Sequence, residues 1–163
     1  MQVNDLVRRN KVDSHEEKII KWDKKYLSLA KFISDWSKDL STKVGAVIFD
    51  DKFRVVSLGY NGFPQNIYDN PELIENRDTK LMLTVHAEIN AIIFAKRDLT
   101  GCNLVTFPFS PCSNCGSAII QSGIKRVVSL ESDNPRWKES FEFSKKMFQE
   151  AGIEFKLYKN LDI

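Results

Sequence analysis

The sequence alternates between helix-like and strand-like segments, and this order constrains the possible fold more than any other feature. Apolar residues that recur at helical spacing predict four helices, over residues 14–38, 85–96, 112–122 and 137–150. Short runs rich in β-branched and aromatic residues predict five strands, over residues 44–49, 54–60, 103–107, 126–130 and 154–158. The predicted order is therefore α-ββ-α-β-α-β-α-β.

This order predicts the arrangement of the layers. Helices between short strands are typical of crossover connections, which place helices on both faces of a sheet. The first two strands are separated only by the polar segment DDK at residues 50–52, which predicts a hairpin. We therefore expect an α/β fold with three layers, α/β/α, around a mixed five-stranded sheet in which only the first pair of strands is antiparallel.

The length of 163 residues fits one domain. Residues 1–13 are polar and aperiodic, so we expect a flexible N-terminal arm before a single domain over residues 14–163. Ser14 and Glu17 have the spacing of a capping box at the start of the first helix. Residues 61–80 contain two prolines and four asparagines, which predicts a long loop and the first place to look for a binding surface.

The composition indicates no macromolecular partner. Hydrophobic residues make up 42% of the chain, and a net charge of +2 is too weak to indicate binding to nucleic acid or to a membrane. No window approaches the roughly 18 apolar residues of a membrane span, and the N-terminus has no apolar signal-peptide core. Three cysteines, an odd number, are a poor basis for a disulfide framework, so we expect a protein of the reducing cytoplasm.

Two short motifs carry the chemistry: LTVHAEINAI at residues 83–92 and SPCSNCG at residues 110–116. Cys112 and Cys115 lie on one face of a predicted first helical turn, and a helix N-terminus favours the thiolate that binds metal. With His86 they make the three-ligand set of a catalytic zinc site, which leaves one coordination position open. Glu88 lies near that position and is suited to carrying a proton to the substrate.

The same residues also have simpler interpretations. A C-x-x-C pair occurs in thioredoxin-like dithiols, although that motif normally follows an early strand and would leave His86 and Glu88 without a role. Cys102 has no partner at ligand spacing and is interpreted as a small core residue. For Tyr60 and Phe63, core packing and stacking on a ligand remain open alternatives.

The pattern H-x-E followed by P-C-x-x-C is the signature of zinc-dependent nucleobase deaminases, and it is present here as HAE at residues 86–88 and PCSNC at residues 111–115. Within that superfamily the chain resembles the deoxycytidylate (dCMP) deaminases, through the segments KVGAVI, GYNGFP, VHAEINAI and SGIKRVV. The resemblance covers roughly residues 25–158, in the same order, and implies a cytidine-deaminase-like fold.

The resemblance also implies roles for individual residues. The implied zinc ligands are His86, Cys112 and Cys115. The implied proton shuttle is Glu88. The implied substrate contacts are the Asn61 side chain for the sugar, and the Ala87 backbone and the Ser110 carbonyl for the cytosine edge. For the substrate phosphate, charge and position suggest Lys43 and Arg77.

The implied activity is zinc-dependent hydrolysis of dCMP to dUMP and ammonia, in the metabolism that supplies dTTP precursors. The family further suggests a homo-hexamer, activation by dCTP and inhibition by dTTP, with Mg²⁺ accompanying these effectors. Their implied site is the GYNG loop, at Tyr60, Gly62 and Phe63. Two positions depart from the family: Asn66 stands where relatives often have glycine, and Pro108 stands where they often have another residue.

Two further functions compete with this interpretation. An editing enzyme would use the same chemistry on a base in RNA or DNA, against which stand the near-neutral charge and the GYNG resemblance. A structural zinc module or regulatory module would keep the fold without turnover, and it would have no need for Glu88. Both alternatives can be distinguished by the substrate that is turned over.

Overall fold

The computed structural model describes residues 14–159, 161 and 163. The described residues form six helices: α1 (His15–Ser34), α2 (Pro71–Glu75), α3 (Arg77–Leu83), α4 (Ala87–Ala95), α5 (Ser113–Gln121) and α6 (Lys138–Glu150). They form five strands: β1 (Gly45–Phe49), β2 (Val55–Tyr60), β3 (Asn103–Phe107), β4 (Arg126–Leu130) and β5 (Glu154–Tyr158). The expected N-terminal arm, residues 1–13, lies outside the described residues.

The five strands form one mixed sheet in the order β2-β1-β3-β4-β5. Strand β1 is antiparallel to both of its neighbours, β2 and β3, whereas β3, β4 and β5 are parallel to one another. The prediction that only the first pair is antiparallel is therefore wrong. The crossover through α4 carries the chain past β1, so β3 runs in the same direction as β2 and opposite to the strand between them.

Helices cover both faces of the sheet, which confirms the predicted three-layer α/β/α fold. Side chains alternate along the central strands. Val47 and Phe49 of β1 pack with α1, whereas Ala46 and Ile48 pack with α4 on the other face. Full burial of a large apolar side chain stabilises the folded state by roughly 1.5–3 kcal/mol. The sheet therefore lies between two stabilising apolar layers, one on each face.

The first helix begins as predicted and ends earlier. Ser14 accepts a hydrogen bond from the backbone N–H of Glu17, and the Glu17 carboxylate accepts one from the backbone N–H of Ser14, so the capping box is present. The helix ends at Ser34 rather than near residue 38. The chain then turns back, and the Ser37 hydroxyl donates a 2.8 Å hydrogen bond to the carbonyl oxygen of Asn61 at the end of β2.

The predicted loop over residues 61–80 contains two short helices, α2 and α3, and this part of the prediction is wrong. Three of the residues that indicated a loop instead lie at helix starts. Asn70 and Asn76 are N-caps whose side chains accept hydrogen bonds from backbone N–H groups of the first turns, and Pro71 occupies the first turn of α2. No helix in the described part of the chain is both long and apolar enough to cross a membrane.

Candidate active site

Two helices begin at the same place and bring the two motifs together. His86 is the N-cap residue of α4, and Cys112 is the N-cap residue of α5, so Glu88 and Cys115 lie in the first turns. Helix α4 packs very closely on β2 at Gly59, where an added Cβ atom would collide with the carbonyl oxygen of Ala87. The glycine of the GYNG segment therefore sets the depth at which the start of α4 lies.

Three potential metal ligands converge at this point. The Nδ1 atom of His86 lies 3.5 Å from Sγ of Cys112 and 3.3 Å from Sγ of Cys115. All three atoms lie within 4.8 Å of one another. A tetrahedral zinc ion with bonds of about 2.3 Å to sulfur and about 2.0 Å to nitrogen separates such ligands by about 3.5 Å. The spacing of this donor set therefore fits zinc, with one coordination position left for a substrate or water.

The ionisation of the two thiols is coupled. A hydrogen bond from Cys115 and the nearby His86 imidazole lower the pKa of Cys112 to about 4. Donation of that hydrogen bond, together with burial, raises the pKa of Cys115. The hydrogen bond with Cys112 likewise raises the pKa of His86. These groups share protons that a metal ion would displace, because the thiolate and the neutral imidazole are the forms that bind metal.

Glu88 lies beside the three ligands without being one of them. Its side chain is buried, with 4% of the residue surface exposed. Its Oε2 atom lies 3.5 Å from Sγ of Cys115. Burial raises the pKa of the Glu88 carboxyl group above its ordinary value. The carboxyl group therefore lies at the edge of the donor set, within reach of a group bound there.

The cluster forms the end of a cleft with about 750 Å³ of empty space, including its open mouth. Asn61, Ala87 and Ser110, which the resemblance assigned to the substrate, all line this cleft. The Asn61 side chain also holds the wall together, because its Oδ1 accepts a 2.8 Å hydrogen bond from the backbone N–H of Val44 and its Nδ2 donates one of 2.9 Å to the carbonyl of Thr42. One amide N–H and one oxygen lone pair remain for a ligand.

The two phosphate candidates have different positions. Arg77 lines the cleft. Lys43 does not line it: the residue is exposed, and its ammonium group donates a 3.3 Å hydrogen bond to the carbonyl oxygen of Asp35. The structure therefore brings Arg77 together with the other predicted site residues and leaves Lys43 outside.

The three residues suggested for effector binding lie around the same loop. Gly62 and Phe63 line a smaller pocket of about 260 Å³, which shares four wall residues with the cleft, namely Asp39, Asn61, Lys80 and Thr84. Tyr60 is exposed and makes an edge contact with Trp36, with ring centroids 6.0 Å apart. Gly62 also exchanges two backbone hydrogen bonds with Val85, immediately before His86.

The two departures from the family have different structural outcomes. Asn66 has a φ of 67°, a left-handed conformation that glycine and asparagine both adopt readily. Asparagine therefore keeps the backbone conformation that glycine would have there. Pro108 does not line the cleft, whereas the following residue, Phe109, does.

The structure adds cleft residues that the motifs did not predict. They come from segments far apart in the chain and include Asp39, Lys80, Phe109, Arg136, Trp137 and Phe141. Lys80 is buried, and its ammonium group lies 3.0 Å from the Asp39 carboxylate and 2.6 Å from the Ser41 hydroxyl. A lysine in a polar segment gives no sequence signal that it will be buried, because its partner is contributed by a distant turn.

Comparison with known proteins identifies the family. The family model described as the cytidine and deoxycytidylate deaminase zinc-binding region matches residues 20–131. An uncharacterized deaminase in the luxG 3′ region of Aliivibrio fischeri is 45% identical over 139 residues, covering 83% of this chain and 92% of that protein. The deoxycytidylate deaminase of Mus musculus is 34% identical and covers 85% of this chain and 80% of that protein.

A solved structure gives the same result for the fold. The dCMP deaminase from the cyanophage S-TIM5, solved in complex with dCMP and dUMP, is 25% identical, with a TM-score of 0.69 over 86% of this chain and 97% of that chain. The matched region of the family model contains HAE at residues 86–88 and PCSNC at residues 111–115. The predicted family is confirmed: this chain belongs to the cytidine and deoxycytidylate deaminase family.

Proposed function

We propose that this chain catalyses the hydrolytic deamination of dCMP to dUMP and ammonia, in the metabolism that supplies dTTP precursors. The observation that carries the proposal is the buried carboxyl group of Glu88 beside the converging His86, Cys112 and Cys115 ligands at the end of an open cleft. Support for dCMP as the substrate comes from the relatives that are named deoxycytidylate deaminases.

In this proposal His86, Cys112 and Cys115 hold one zinc ion. When bound, zinc supplies Lewis-acid chemistry for hydrolytic attack on the ring. Glu88 moves the protons: it takes one from the attacking water, gives it to N3 of cytosine, and supports proton transfer to the departing amino group. A C4–O bond forms, the C4–N bond breaks, and ammonia leaves. Burial of Glu88 excludes competing water from the carboxyl group.

The substrate orientation follows from the cleft-lining residues. The backbone of Ala87 and the carbonyl of Ser110 would bind the polar edge of cytosine, since each adjoins a proposed metal-site segment and lines the cleft. Asn61 would contact the sugar with its remaining amide hydrogen. The position of Lys43 at Asp35 gives no support to its proposed contact with the phosphate, and Lys43 would have to leave that hydrogen bond to reach the cleft.

Ultraviolet-monitored turnover of dCMP beside deoxycytidine, cytidine, dCTP and a cytosine-containing oligonucleotide tests the proposal. We expect dCMP to be preferred. We also expect Glu88→Gln to keep its zinc and lose at least about a hundredfold in kcat, since general acid–base catalysis contributes about 10²–10⁴. Glu150→Gln, which changes an exposed carboxylate at the end of α6, is the matched control and should keep full activity.

Three outcomes would contradict the proposal. Normal dCMP turnover by Glu88→Gln would remove the proton-shuttle role. Turnover of the oligonucleotide with no activity on dCMP would move the protein to the nucleic-acid editing class. A protein that holds zinc and deaminates none of the five compounds would favour the structural or regulatory module.

We further propose that dCTP activates the enzyme, that dTTP inhibits it, and that Mg²⁺ accompanies these effectors. The resemblance to dCMP deaminases motivates this proposal, with Tyr60, Gly62 and Phe63 as the effector contacts. Its structural support is the small pocket lined by Gly62 and Phe63, which shares Asp39 and Lys80 with the cleft. Initial rates measured with and without each nucleotide and Mg²⁺ test it, and unchanged rates would contradict it.

Assembly and location complete the proposal. A homo-hexamer is supported by the exposed aromatic side chains of Phe32, Trp36 and Tyr60, which contact one another in sequence at 6.0 Å between ring centroids. Multi-angle light scattering tests this state.

Residues 14–163 would act as one catalytic domain. A cytoplasmic location is supported by the three free cysteines, two of which are proposed metal ligands that need a reducing compartment.

A further inference from the structure

The start of α5 begins with an unusual residue. Cys112 is the N-cap residue of this helix, and its side chain makes no capping hydrogen bond. Serine, threonine, aspartate and asparagine are preferred at an N-cap, because their side-chain oxygen accepts a hydrogen bond from an N–H group of the first turn. The sulfur of Cys112 instead faces the other potential metal ligands. The first turn of α5 therefore depends on acceptors from elsewhere in the fold.

Two serines of α6 contact the peptide groups on either side of Cys112. The backbone N–H of Ser113 donates a 2.9 Å hydrogen bond to the hydroxyl oxygen of Ser140. The Ser144 hydroxyl donates one of 2.9 Å to the carbonyl oxygen of Pro111. Because peptide groups are planar, only two backbone dihedral angles are free at Cys112, and these bonds hold the planes on both sides of it. They therefore restrain the direction in which the Cys112 side chain leaves the backbone.

The contact made by Ser144 is the more deeply buried of the two. Ser144 is 0% exposed, and Pro111 is buried as well. A serine inside a helix commonly bonds to a carbonyl of the preceding turn, and the Ser140 carbonyl does lie 3.1 Å from the Ser144 hydroxyl. The hydroxyl has only one hydrogen, and the Pro111 carbonyl is the nearer acceptor. Removing this hydroxyl would take a donor away from a buried carbonyl group, which is costly.

Close packing of α5 on α6 makes these contacts possible. An added Cβ atom at Gly116 would lie 3.2 Å from Oγ of Ser144 and 3.1 Å from Cε of Met147. A larger side chain at this position would fit only if one of these neighbours shifted. The small residues Gly116 and Ser144 thus allow the two helices to approach so closely that short serine side chains reach the Cys112 segment.

The direction of the Cys112 side chain matters because its sulfur must meet a donor from another helix. Cys115 lies in the first turn of α5, so the helix itself sets its position relative to Cys112. His86 belongs to the start of α4, and its Nδ1 atom lies 3.5 Å from Sγ of Cys112. This distance depends on how the start of α5 is held in the fold, and α6 supplies two of the restraints.

We propose that Ser140 and Ser144 are positioning residues for the metal site, which hold the backbone around Cys112 so that its sulfur points at the other ligands before a metal ion binds. This inference rests on the zinc site of the proposed function. Neither serine lines the cleft, so both act through the ligand segment rather than on a substrate. Groups that orient metal ligands contribute to metal affinity although they do not touch the metal.

The experiment compares Ser140→Ala, Ser140→Thr and Ser144→Ala in the intact chain. Ser28→Ala is the matched control, because it removes an exposed hydroxyl group that donates a 2.9 Å hydrogen bond to a backbone carbonyl within α1. Zinc affinity is measured by competition with a chromophoric chelator, under conditions in which circular dichroism shows that each protein is folded. Absorption spectra of the Co²⁺-loaded proteins report how the thiolates bind, through their charge-transfer and d–d bands.

We expect Ser144→Ala to weaken zinc binding by about 10- to 100-fold, the range for groups that orient metal ligands. Ser140→Ala should give a smaller loss, because Ser140 is only half-buried and water can take the place of its oxygen. Ser140→Thr should stay within about threefold of the wild type, since threonine keeps the hydroxyl group. The thiolate charge-transfer absorption of Co²⁺ should weaken in the same order, and Ser28→Ala should match the wild type.

Wild-type zinc affinity and wild-type Co²⁺ spectra in both alanine variants of α6 would overturn the inference, whatever their melting temperatures, because the two serines would then support the fold alone. Equal losses in Ser140→Ala and Ser140→Thr would overturn the role of the Ser140 hydroxyl. The proposed function fails separately if the wild type binds zinc and deaminates no cytosine compound, and the affinity series still decides the inference in that case. A wild type that binds neither metal would contradict both.

Discussion

Two polar clusters with buried members lie on opposite faces of the sheet and differ in whether their buried groups are satisfied. The α1 cluster consists of Asp23, Arg126, Glu154 and Tyr158. In it, Arg126 donates two 2.7 Å hydrogen bonds to the Asp23 carboxylate and a third, of 2.8 Å, to Glu154, while the Tyr158 hydroxyl donates to Asp23 at 2.7 Å. Both oxygens of the buried Asp23 carboxylate therefore accept hydrogen bonds from within the chain, and Arg126 contacts two carboxylates.

The metal-ligand cluster, His86, Cys112 and Cys115, has the opposite character. Three atoms that bind metals by donating electron pairs converge, and the nearest carboxyl group, that of Glu88, adds a fourth donor rather than a cation. Such a group of donors is satisfied by a cation from outside the chain. The comparison teaches that burial of polar groups indicates function only where the described partners leave their bonding capacity unused.

The largest expected effect comes from removing one donor of the metal-ligand cluster. Cys115→Ala should lose zinc and reduce dCMP turnover by about a thousandfold or more, because Lewis-acid stabilisation of several kcal/mol disappears. Its free energy of unfolding, measured on metal-free protein, should change by only about 1 kcal/mol or less. Metal analysis and urea denaturation measure both quantities. Full zinc occupancy in this variant would remove Cys115 from the ligand set.

The α1 cluster should respond in the reverse way. Asp23→Ala leaves Arg126 buried with only Glu154 as a partner, and breaking a buried pair from one side costs about 3–5 kcal/mol. We expect the variant to be destabilised by about 3 kcal/mol or more while retaining zinc at native stoichiometry when folded. Urea denaturation measures the free energy of unfolding, and metal analysis at low urea concentration measures the zinc content. If Asp23→Ala lost zinc while keeping the stability of the wild type, the proposed difference between the two clusters would be wrong.

Glu154→Ala is the matched change within the α1 cluster. Both carboxylates bind Arg126, but 64% of the Glu154 side chain is exposed against 1% of the Asp23 side chain. An exposed ion pair contributes about 0–1 kcal/mol, so this variant should lose less than about 1 kcal/mol in the same urea titration. Equal costs for the two variants would show that burial does not set the energetic difference between the two contacts.

A feature of this protein is predictable from sequence when the residues that form it lie close together in the chain. The HAE and PCSNC motifs each lie at the start of one helix, so spacing alone predicts that their side chains face the same way. The buried pair of Lys80 and Asp39, and the contribution of Arg136, join segments distant in the sequence and give no pattern in either one. The single charged residues become informative only after the fold brings them into one cleft.

The errors in the predicted fold have the same origin. The strand runs are marked locally by β-branched residues, and β3, β4 and β5 have the predicted bounds. The direction of β3 relative to β1 depends on where a crossover returns, which no local pattern encodes. In residues 61–80, asparagine and proline indicated a loop, although both residue types also begin helices. Short helices stabilised by capping are therefore the elements most easily mistaken for loops.

The Tyr158 hydroxyl group sharpens the comparison inside the α1 cluster. Burial and the hydrogen bond to Asp23 raise the pKa of the Tyr158 hydroxyl group above its ordinary value of about 10. Tyr158→Phe removes one hydrogen bond to a charged group, so we expect it to cost about 1–2 kcal/mol at neutral pH. Zinc binding and dCMP turnover should be unchanged.

The pH dependence of this variant has a defined sign. Above about pH 10 the unfolded tyrosine loses its proton while the folded one keeps it, so the native state binds more protons and its stability falls as pH rises. The stabilisation from Tyr158 is thus fully present below pH 10 and is lost through the raised folded pKa. Urea titrations from about pH 8 to 11 should show the wild-type advantage over Tyr158→Phe shrinking only at the alkaline end. A difference that stays constant across this range would mean that the hydroxyl group titrates alike in both states, and that the cluster does not hold its proton.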